Sequence, residues 1–271
     1  MGRELNGAEL AGFIKERQLK QVRNLRQEHN VAPKLLIVQS AQENEVIDTY
    51  IRMKQRYAED VLIEVEVVQL HEAAMIEAIQ AANHDPTTHG IIVQLPLADG
   101  GQTDEILAAI APEKDVDGLG PDTHYCSATA EAIDWLLVGY GIELTNKRIA
   151  LLGRGRLVGA PLATLWQPRG YQLATFDSDS GDIRESLRKS DVIISATGVA
   201  GRLTSDDISP GSVVVDAGTA GEHGVIVGDV AADVRLRTDL IITPVRGGVG
   251  PLTIAVLFDH VIQSARKAVS H

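Results

Sequence analysis

The alternation of hydrophobic and polar positions in the first part of the chain predicts helices and strands that follow one another in turn. Residues 8–29 carry apolar side chains at helical spacing among charges, which is typical of an amphipathic helix. Residues 34–39 form a short apolar run that predicts a buried strand. Further helices are predicted at 44–60, 73–83 and 104–111, and further strands at 61–70 and 90–95. This order indicates a parallel sheet with crossover helices.

A loop-rich segment, residues 112–122, separates this part from a second series of strands. It contains two Pro, two Gly and four acidic residues, a composition typical of a domain edge. The pattern then predicts strands at 148–152, 173–176, 191–196, 213–216 and 240–243, and helices at 130–140, 183–188 and 251–267. We therefore predict two α/β domains, 1–122 and 123–251, with the C-terminal helix (252–271) packing back on the first domain.

Composition and charge exclude several function classes. Lys and Arg number 25 against 37 Asp and Glu, giving a net charge of −12, which is unfavourable for nucleic-acid binding. A single cysteine, Cys126, excludes an intrachain disulfide framework, and no H-E-x-x-H, G-x-S-x-G or Walker motif is present, so no metal site is predicted. The sequence has neither a run of about 18 apolar residues nor an apolar N-terminal signal region. We expect a cytoplasmic protein that does not bind membranes.

A glycine-rich turn follows the first strand of the second domain. In Gly153-Arg-Gly-Arg-Leu-Val-Gly159 the glycines are spaced by two and four residues, whereas the dinucleotide fingerprint has spacings of two and three. Glycines there let the backbone approach a pyrophosphate, and the following helix N-terminus attracts its charge. Arg154 and Arg156 add cations. The same residues also fit a tight strand–helix turn that binds no ligand.

An acid follows the next strand, where dinucleotide-binding domains recognise the ribose. Asp177 lies 24 residues after Gly153, close to the expected spacing of about 20. Its carboxylate suits the ribose hydroxyls of NAD and repels the extra phosphate of NADP, whereas Arg154 and Ser178 suit that phosphate. Within the run DSDSGD, Asp177 also fits a loop acid that bonds only to its neighbours.

Candidate catalytic side chains lie in the first domain. Tyr50 and Lys54 share a helical face, and a buried lysine readily becomes a proton carrier, although a solvated lysine fits the same spacing. Gln94 ends a buried strand, where parallel sheets face their ligands. Asp117 belongs to a loop of alternating carboxylates that also fits a solvated turn or a weak cation loop. Residues 243–253 contain three glycines, which suit either a flat ligand or an irregular connection.

Five of these segments, in this order and spacing, resemble the bifunctional methylenetetrahydrofolate dehydrogenase/methenyltetrahydrofolate cyclohydrolase family. They are YIRMK (50–54), GIIVQLPL (90–97), PEKDVDG (112–118), GRGRLVGAPLA (153–163) and TPVRGGVGPLT (243–253). The resemblance covers nearly the whole chain. It implies two α/β domains flanking a cleft, with folate bound by the N-terminal catalytic domain and NADP, with NAD possible, by a C-terminal Rossmann-like domain. It also implies a cytoplasmic homodimer that acts on tetrahydrofolate one-carbon derivatives.

The resemblance assigns roles by position in this sequence. It implies that Lys54 is catalytic, that Gln94 hydrogen-bonds and tunes it, and that Tyr50 stacks along the aminobenzoate ring of folate. On the substrate side it also implies Asp117, which pairs with the pterin amino edge, together with Gly248 and Pro251. On the cofactor side it implies Gly153, Arg154, Gly155, Val158, Gly159, Asp177, Ser178 and Thr219, with Arg154 and Ser178 at the NADP phosphate.

The implied reaction is oxidation of methylenetetrahydrofolate with NAD(P)⁺, followed by hydrolysis of the product to 10-formyltetrahydrofolate. The chain departs from the family pattern where Gly155 replaces a serine, Asp177 a histidine and Arg246 a proline, and where residues 125–130 lack two prolines. Asp177 favours an alternative, a monofunctional NAD-dependent methylenetetrahydrofolate dehydrogenase, which Lys54, Gln94 and Asp117 oppose. A non-catalytic nucleotide-binding module is a third hypothesis, because fold does not prove activity.

Overall fold

The computed structural model describes residues 3–42, 44–218, 220–222 and 225–269, and the chain divides into two compact units. Unit 1 comprises Met1–Ala11 and Thr129–Thr253, and unit 2 comprises Gly12–Ala128 and Ile254–His271. Both units are α/β and both are built on parallel sheets, which confirms the predicted fold class. The domain boundaries proposed at 122 and 251 stay predictions.

Within these residues, helices and strands follow closely the segments that the periodicity indicated. The strands are β1 (Arg3–Glu4), β2 (Lys34–Ser40), β3 (Glu64–Leu70), β4 (Gly90–Val93), β5 (Arg148–Leu152), β6 (Gln172–Phe176), β7 (Val192–Ser195), β8 (Val213–Asp216), β9 (Ala220–Glu222), β10 (Val225–Val227) and β11 (Ile241–Ile242). The helices are α1 (Gly7–His29), α2 (Glu45–Val61), α3 (Glu72–His84), α4 (Thr103–Ala108), α5 (Ala128–Gly139), α6 (Gly159–Trp166), α7 (Arg184–Arg188), α8 (Ala232–Arg235) and α9 (Val249–Ala268).

Unit 2 contains a three-stranded parallel sheet in the order β3-β2-β4. The central strand β2 and its neighbour β4 are almost continuously buried, as expected for strands covered on both faces. The edge strand β3 alternates between exposed and half-buried residues. It begins at Glu64 rather than at the predicted residue 61, because α2 runs on to Val61 and Leu62 then ends it in the left-handed region (φ 60°).

Unit 1 contains a six-stranded parallel sheet in the order β1-β11-β8-β7-β5-β6. The chain runs from β5 to β6 on one side and then crosses to β7 and β8 on the other, so the winding reverses between β5 and β7. Ligands of doubly wound sheets bind outside the carboxyl ends of the strands at such a point. The edge strand β1, which hydrophobic periodicity did not indicate, pairs Arg3 with Ile241.

The core of each unit lies between its sheet and the helices that cover it. In unit 2, Met75 and Ile79 of α3 pack on Leu36, Val38 and Ile91. In unit 1, a second cluster surrounds β5, β7 and β8. Among the described residues, no helix is long and apolar enough to cross a membrane.

Candidate functional site

Local sequence places Lys54 in the middle of α2, on its buried face. The helix begins after Asn44, whose side-chain Oδ1 accepts the backbone N–H groups of Val46 and Ile47 at 3.1 and 3.2 Å. The buried residues of α2 recur at helical spacing and include Ile51 and Lys54. Lys54 is only 8% exposed. A lysine on this face therefore loses most of its hydration.

The lysine amine meets the amide of Gln94. Lys54 Nζ donates a hydrogen bond to Gln94 Oε1 at 2.6 Å. Gln94 directly follows β4, and its backbone N–H donates to the Val38 carbonyl at 2.8 Å, which fixes it at the carboxyl end of the sheet. Burial lowers the pKa of Lys54, while the charge of Asp117 opposes that shift. The structure thus brings the predicted residues Lys54 and Gln94 together, and it favours a Lys54 amine that can exchange a proton.

Tyr50 lies one helical turn before Lys54 and is half-buried. Burial raises the pKa of its phenol, so the ring stays neutral near neutral pH. A neutral aromatic side chain on the same helical face as the lysine offers a flat apolar surface for a ring substrate.

The loop that carries Asp117 is packed rather than solvated. It runs beside β4, where the Ile91 N–H donates to the Lys114 carbonyl at 2.7 Å. The carboxylate of Asp115 is buried and accepts the N–H groups of Gly118 and Gly120 at 3.2 and 2.7 Å. Burial raises the pKa of Asp117, and Asp115 acts in the same direction, whereas Lys54 opposes it. The alternative of a solvated turn is therefore wrong.

The Asp115 carboxylate of this loop is bonded to backbone donors. The carboxylate oxygens of Asp115 point at backbone N–H groups, which leaves them bonded to protein donors. Within the described part of the chain, no three His, Cys, Asp or Glu side chains are grouped so as to hold a metal ion.

The glycine turn after β5 is close-packed at two of its three glycines. Gly153 has φ +95°, and a Cβ there would lie 2.2 Å from the Ala196 carbonyl oxygen. A Cβ on Gly159, the first residue of α6, would lie 2.0 Å from the Gly153 oxygen. At Gly155 nothing lies within 4 Å. Val158, just before α6, is half-buried. The turn sits where the winding of the sheet reverses, and its middle glycine opens onto free space.

Arg154 and Asp177 face each other beside this turn. Arg154 Nη1 lies 3.6 Å from Asp177 Oδ2, and Arg154 Nη2 donates to Thr175 Oγ1 at 2.9 Å. Asp177 Oδ1 accepts from Asp179 N at 3.1 Å and from Ser180 Oγ at 2.8 Å. The Ser180 hydrogen bond, with a smaller contribution from Arg154, lowers the pKa of Asp177. Asp177 is thus both a loop acid bonded to its neighbours and the partner of the arginine.

The remaining predicted site residues have varied surroundings. Ser178 is exposed and donates to Asp179 Oδ1 at 3.2 Å. Gly248 is buried, and its carbonyl oxygen is 2.0 Å from the position of a Cβ on Gly7, so this glycine packs against the start of α1. Pro251 is half-buried in the first turn of α9. Thr219 lies outside the described residues.

The sequence analysis did not predict a polar cluster that lies at the carboxyl end of β7. The fully buried Asp229 accepts hydrogen bonds through Oδ2 from Ser195 Oγ at 2.8 Å, Thr197 N at 2.6 Å and Thr197 Oγ1 at 2.9 Å. These bonds fix the segment on which Gly153 packs. The signal in the sequence is a pair of hydroxyl residues at the end of a buried strand, Ser195 as its last residue and Thr197 two positions later.

Comparisons with known proteins agree with this arrangement. The family model described as tetrahydrofolate dehydrogenase/cyclohydrolase, catalytic domain, matches residues 5–117. The model of the NAD(P)-binding domain of the same family matches residues 127–269. The bifunctional protein FolD of Lactobacillus acidophilus is 34% identical over 280 aligned positions, covering 98% of each chain.

Solved structures give the same result. The bifunctional methylenetetrahydrofolate dehydrogenase/cyclohydrolase FolD of Campylobacter jejuni superposes with a TM-score of 0.91 at 32% identity, covering 98% of this chain and 99% of that one. The Trypanosoma brucei methylenetetrahydrofolate dehydrogenase-cyclohydrolase, complexed with NADP cofactor and an inhibitor, has a TM-score of 0.92 at 29% identity, covering 100% and 99%.

Proposed function

This chain belongs to the tetrahydrofolate dehydrogenase/cyclohydrolase family, and from that premise we infer a bifunctional enzyme of one-carbon folate metabolism. It oxidises 5,10-methylenetetrahydrofolate to methenyltetrahydrofolate with NADP⁺, and it hydrolyses the methenyl product to 10-formyltetrahydrofolate. The observation that carries this proposal is the hydrogen bond of 2.6 Å from Nζ of the buried Lys54 to Oε1 of Gln94.

The glycine turn fits a dinucleotide. It offers a phosphate group three favourable features, which are its open side at Gly155, the Arg154 guanidinium and the N-terminus of α6. We assign cofactor binding to Gly153, Arg154, Gly155, Val158, Gly159, Asp177, Ser178 and Thr219. When bound, NADP⁺ supplies the hydride acceptor. The main task of the protein in the dehydrogenase step is therefore to align the two reactants.

The cyclohydrolase step needs a proton carrier, and we assign that role to Lys54. Water adds to the cationic methenyl carbon and loses a proton. The bond from that carbon to N5 then breaks as N5 is protonated and the hydroxyl proton leaves, which forms the formyl carbonyl. The net reaction releases one proton. An amine whose pKa is lowered by burial can take the proton from water and return it to the leaving nitrogen. Gln94 Oε1 accepts an N–H of the amine and so orients Nζ.

The substrate residues follow from the same premise. Tyr50 supports the aminobenzoate ring, Asp117 pairs with the pterin amino edge, and Gly248 and Pro251 complete the substrate side. Asp117 suits this role because a half-buried carboxylate gains from a donor that replaces the water it has lost. We also propose domains 1–122 and 123–251, a cytoplasmic location and a homodimer.

The proposal is tested by mixing the purified protein with methylenetetrahydrofolate and either NADP⁺ or NAD⁺. We expect reduced nicotinamide to form with NADP⁺, and more slowly with NAD⁺, followed by conversion of added methenyltetrahydrofolate to the formyl product above the uncatalysed rate. Asp177, held by its neighbours at the end of β6, favours the second candidate, a monofunctional NAD-dependent dehydrogenase. That candidate gains support if only NAD⁺ is reduced and hydrolysis stays at the uncatalysed rate.

A further inference from the structure

A buried histidine on the last helix contacts the loop that carries Asp117. His260 of α9 is only 2% exposed, and its Nδ1 lies 2.8 Å from the carbonyl oxygen of Val116. A carbonyl oxygen only accepts, so Nδ1 carries the hydrogen and donates it. The imidazole also packs on the Tyr125 ring, with 4.8 Å between centroids and 32° between planes. Two contacts therefore fix the orientation of the histidine.

The bonded carbonyl belongs to the peptide unit that leads into Asp117. That unit is planar, so a hydrogen bond to the Val116 oxygen restrains the direction in which the Asp117 backbone begins. Backbone donors hold the carbonyl of Lys114, two residues earlier, and that of Asp117, the next residue. The Ile91 N–H donates to the first at 2.7 Å, and the Ala128 N–H donates to the second at 3.1 Å. His260 thus supplies a side-chain restraint next to the carboxylate, between two restraints made by backbone.

Electrostatics indicate that the imidazole and the carboxylate are close enough to interact. The dominant influence on the Asp117 pKa is burial, which raises it, and Asp115 raises it further. His260 and Lys54 both act in the opposite direction. A shift of the histidine would therefore change both the direction of the Asp117 side chain and the charge around it.

We propose that His260 is a positioning residue for folate binding, which acts through the Val116 carbonyl to hold Asp117 toward the substrate. This inference rests on the proposed function, in which Asp117 binds the pterin edge. It adds to that function a residue 143 positions further along the chain, on a helix of which the family resemblance singled out only Pro251.

Three substitutions separate the hydrogen bond from the bulk of the side chain. His260→Leu removes the donor, His260→Asn keeps a donor at the place of Nδ1, and His260→Gln moves the donor outward. We expect His260→Leu and His260→Gln to raise the KM for methylenetetrahydrofolate about fivefold, the effect of losing roughly one buried hydrogen bond. The KM for NADP⁺ and kcat should stay within about twofold, and His260→Asn should restore the wild-type KM.

Ser264→Ala is the matched control. Ser264 lies one turn further along α9, and its Oγ donates to the Glu113 carbonyl at 3.1 Å, so it ties the same helix to the preceding part of the same loop. We expect its folate KM to equal that of the wild type. Circular dichroism identifies variants that do not fold, and if His260→Leu is among them the comparison of the Asn and Gln variants decides the question.

The outcomes are distinct. Equal folate KM values for the Asn and Gln variants overturn the positioning role, as does a parallel loss in folate KM, NADP⁺ KM and kcat. A Ser264→Ala variant with the same raised KM also overturns it, because the effect would then be general anchoring of α9. Asp117→Ala is measured alongside: an unchanged folate KM in that variant contradicts the proposed function itself, whereas a raised KM there with unaffected His260 variants contradicts only this inference.

Discussion

At the scale of single residues, the fold decides which charges of α2 remain in water. Lys54 and Arg56 are two positions apart on the same helix, yet Lys54 is buried and Arg56 is exposed. Residues two apart on a helix point in different directions, so one faces the sheet and the other the solvent. Burial lowers the pKa of Lys54, and its amine donates to Gln94. Substitutions at Lys54 and Arg56 therefore test the catalytic assignment.

Lys54→Met should abolish the cyclohydrolase reaction while leaving the protein folded. Methionine fills the same buried space but carries no proton, and the loss of a positioned acid–base group typically slows a reaction about 10²–10⁴-fold. The rate of methenyltetrahydrofolate hydrolysis measures the effect, and Arg56→Met on the exposed face serves as the control. Wild-type hydrolysis by the Lys54 variant would exclude the assigned role.

We expect cofactor choice to depend on the Arg154–Asp177 pair. The carboxylate is held by Asp179 and Ser180, so it faces the guanidinium that a 2′-phosphate of NADP would need. Asp177→Ser should raise the NADP-over-NAD ratio of kcat/KM, because it frees the arginine and removes a negative charge. The pair is partly exposed and screened by solvent, so we expect a change of no more than about fivefold.

Arg154→Ala should lower the same ratio, since it removes the cation and leaves the acid. Steady-state kinetics with both cofactors measure the two variants. If Asp177→Ser leaves the ratio unchanged, Asp177 is only a loop acid.

At the scale of elements, the β5–α6 turn requires glycine at two positions and tolerates a side chain at the third. Gly153→Ala places a methyl group in the left-handed region and against the Ala196 carbonyl, so the turn must move. We expect NADP⁺ affinity to fall at least tenfold and the melting temperature to drop, as for backbone strain of about 1–3 kcal/mol.

Gly155→Ser is the matched substitution in the same turn. Nothing lies within 4 Å of its Cβ, so stability should be unchanged and NADP⁺ should still bind. Thermal unfolding and cofactor titration of both variants check the prediction. Equal losses at the two positions would show that the turn is sensitive to any side chain rather than to this close approach.

The start of the unit 2 sheet contains a buried histidine that makes stability depend on pH. The backbone N–H of Lys34 in β2 donates to His89 Nδ1 at 3.2 Å, which requires that nitrogen to be unprotonated. Burial, followed by the charge of Lys114, lowers the pKa of His89. Near the pKa of histidine in the unfolded chain, about 6.5, the folded state therefore binds fewer protons than the unfolded state. The stability that the unprotonated His89 contributes is thus present above that pH and is lost as the pH falls.

We expect the free energy of unfolding to decrease between about pH 7 and pH 5, and His89→Asn to reduce that decrease. Asparagine keeps an acceptor near Nδ1 but does not titrate. Urea unfolding at several pH values measures the difference, with His124→Asn at an exposed position as the control. A His89 variant with the wild-type pH dependence would refute the assignment.

At the scale of the whole molecule, the acid assigned to the pterin edge and the turn assigned to the cofactor lie in different units, whereas Gly248 and Pro251, also assigned to the substrate, lie in the same unit as the turn. Asp117 belongs to unit 2 and the glycine turn to unit 1. Asp117→Ala should weaken folate binding by roughly 10- to 100-fold, because hydrogen bonds to a charged group contribute about 1.5–3 kcal/mol. NADP⁺ affinity should be nearly unchanged. Titration calorimetry with each ligand measures both, and Asp122→Ala, an exposed acid after the same loop, is the control.

Equal losses of folate and NADP⁺ affinity in the Asp117 variant would contradict this division between units.

The chain connectivity does not follow the division simply. The first eleven residues belong to unit 1, where β1 joins the edge of the six-stranded sheet next to β11. A two-residue strand has no detectable periodicity, so hydrophobic patterning could not assign it to a sheet more than two hundred residues further along the chain.

The sequence by itself determined the type and order of most elements. Helical spacing of apolar residues within α1, α2 and α9, and the apolar runs of β2, β4 and β7, are local signals that tertiary structure leaves in place. The order of these elements was enough to indicate parallel sheets. Exact ends, such as the extension of α2 to Val61, depended on a single left-handed residue that carries no recognisable sequence signal.

Only the tertiary structure decided which distant side chains meet. Lys54 and Gln94 are 40 positions apart, Asp229 reaches back 34 positions to Ser195, and His260 lies 144 positions after Val116. Each of these contacts exists because particular strands and helices became neighbours when they buried their apolar faces. Burial also lowered the pKa of Lys54, since the pKa of an amine depends on how much water surrounds it rather than on its sequence neighbours.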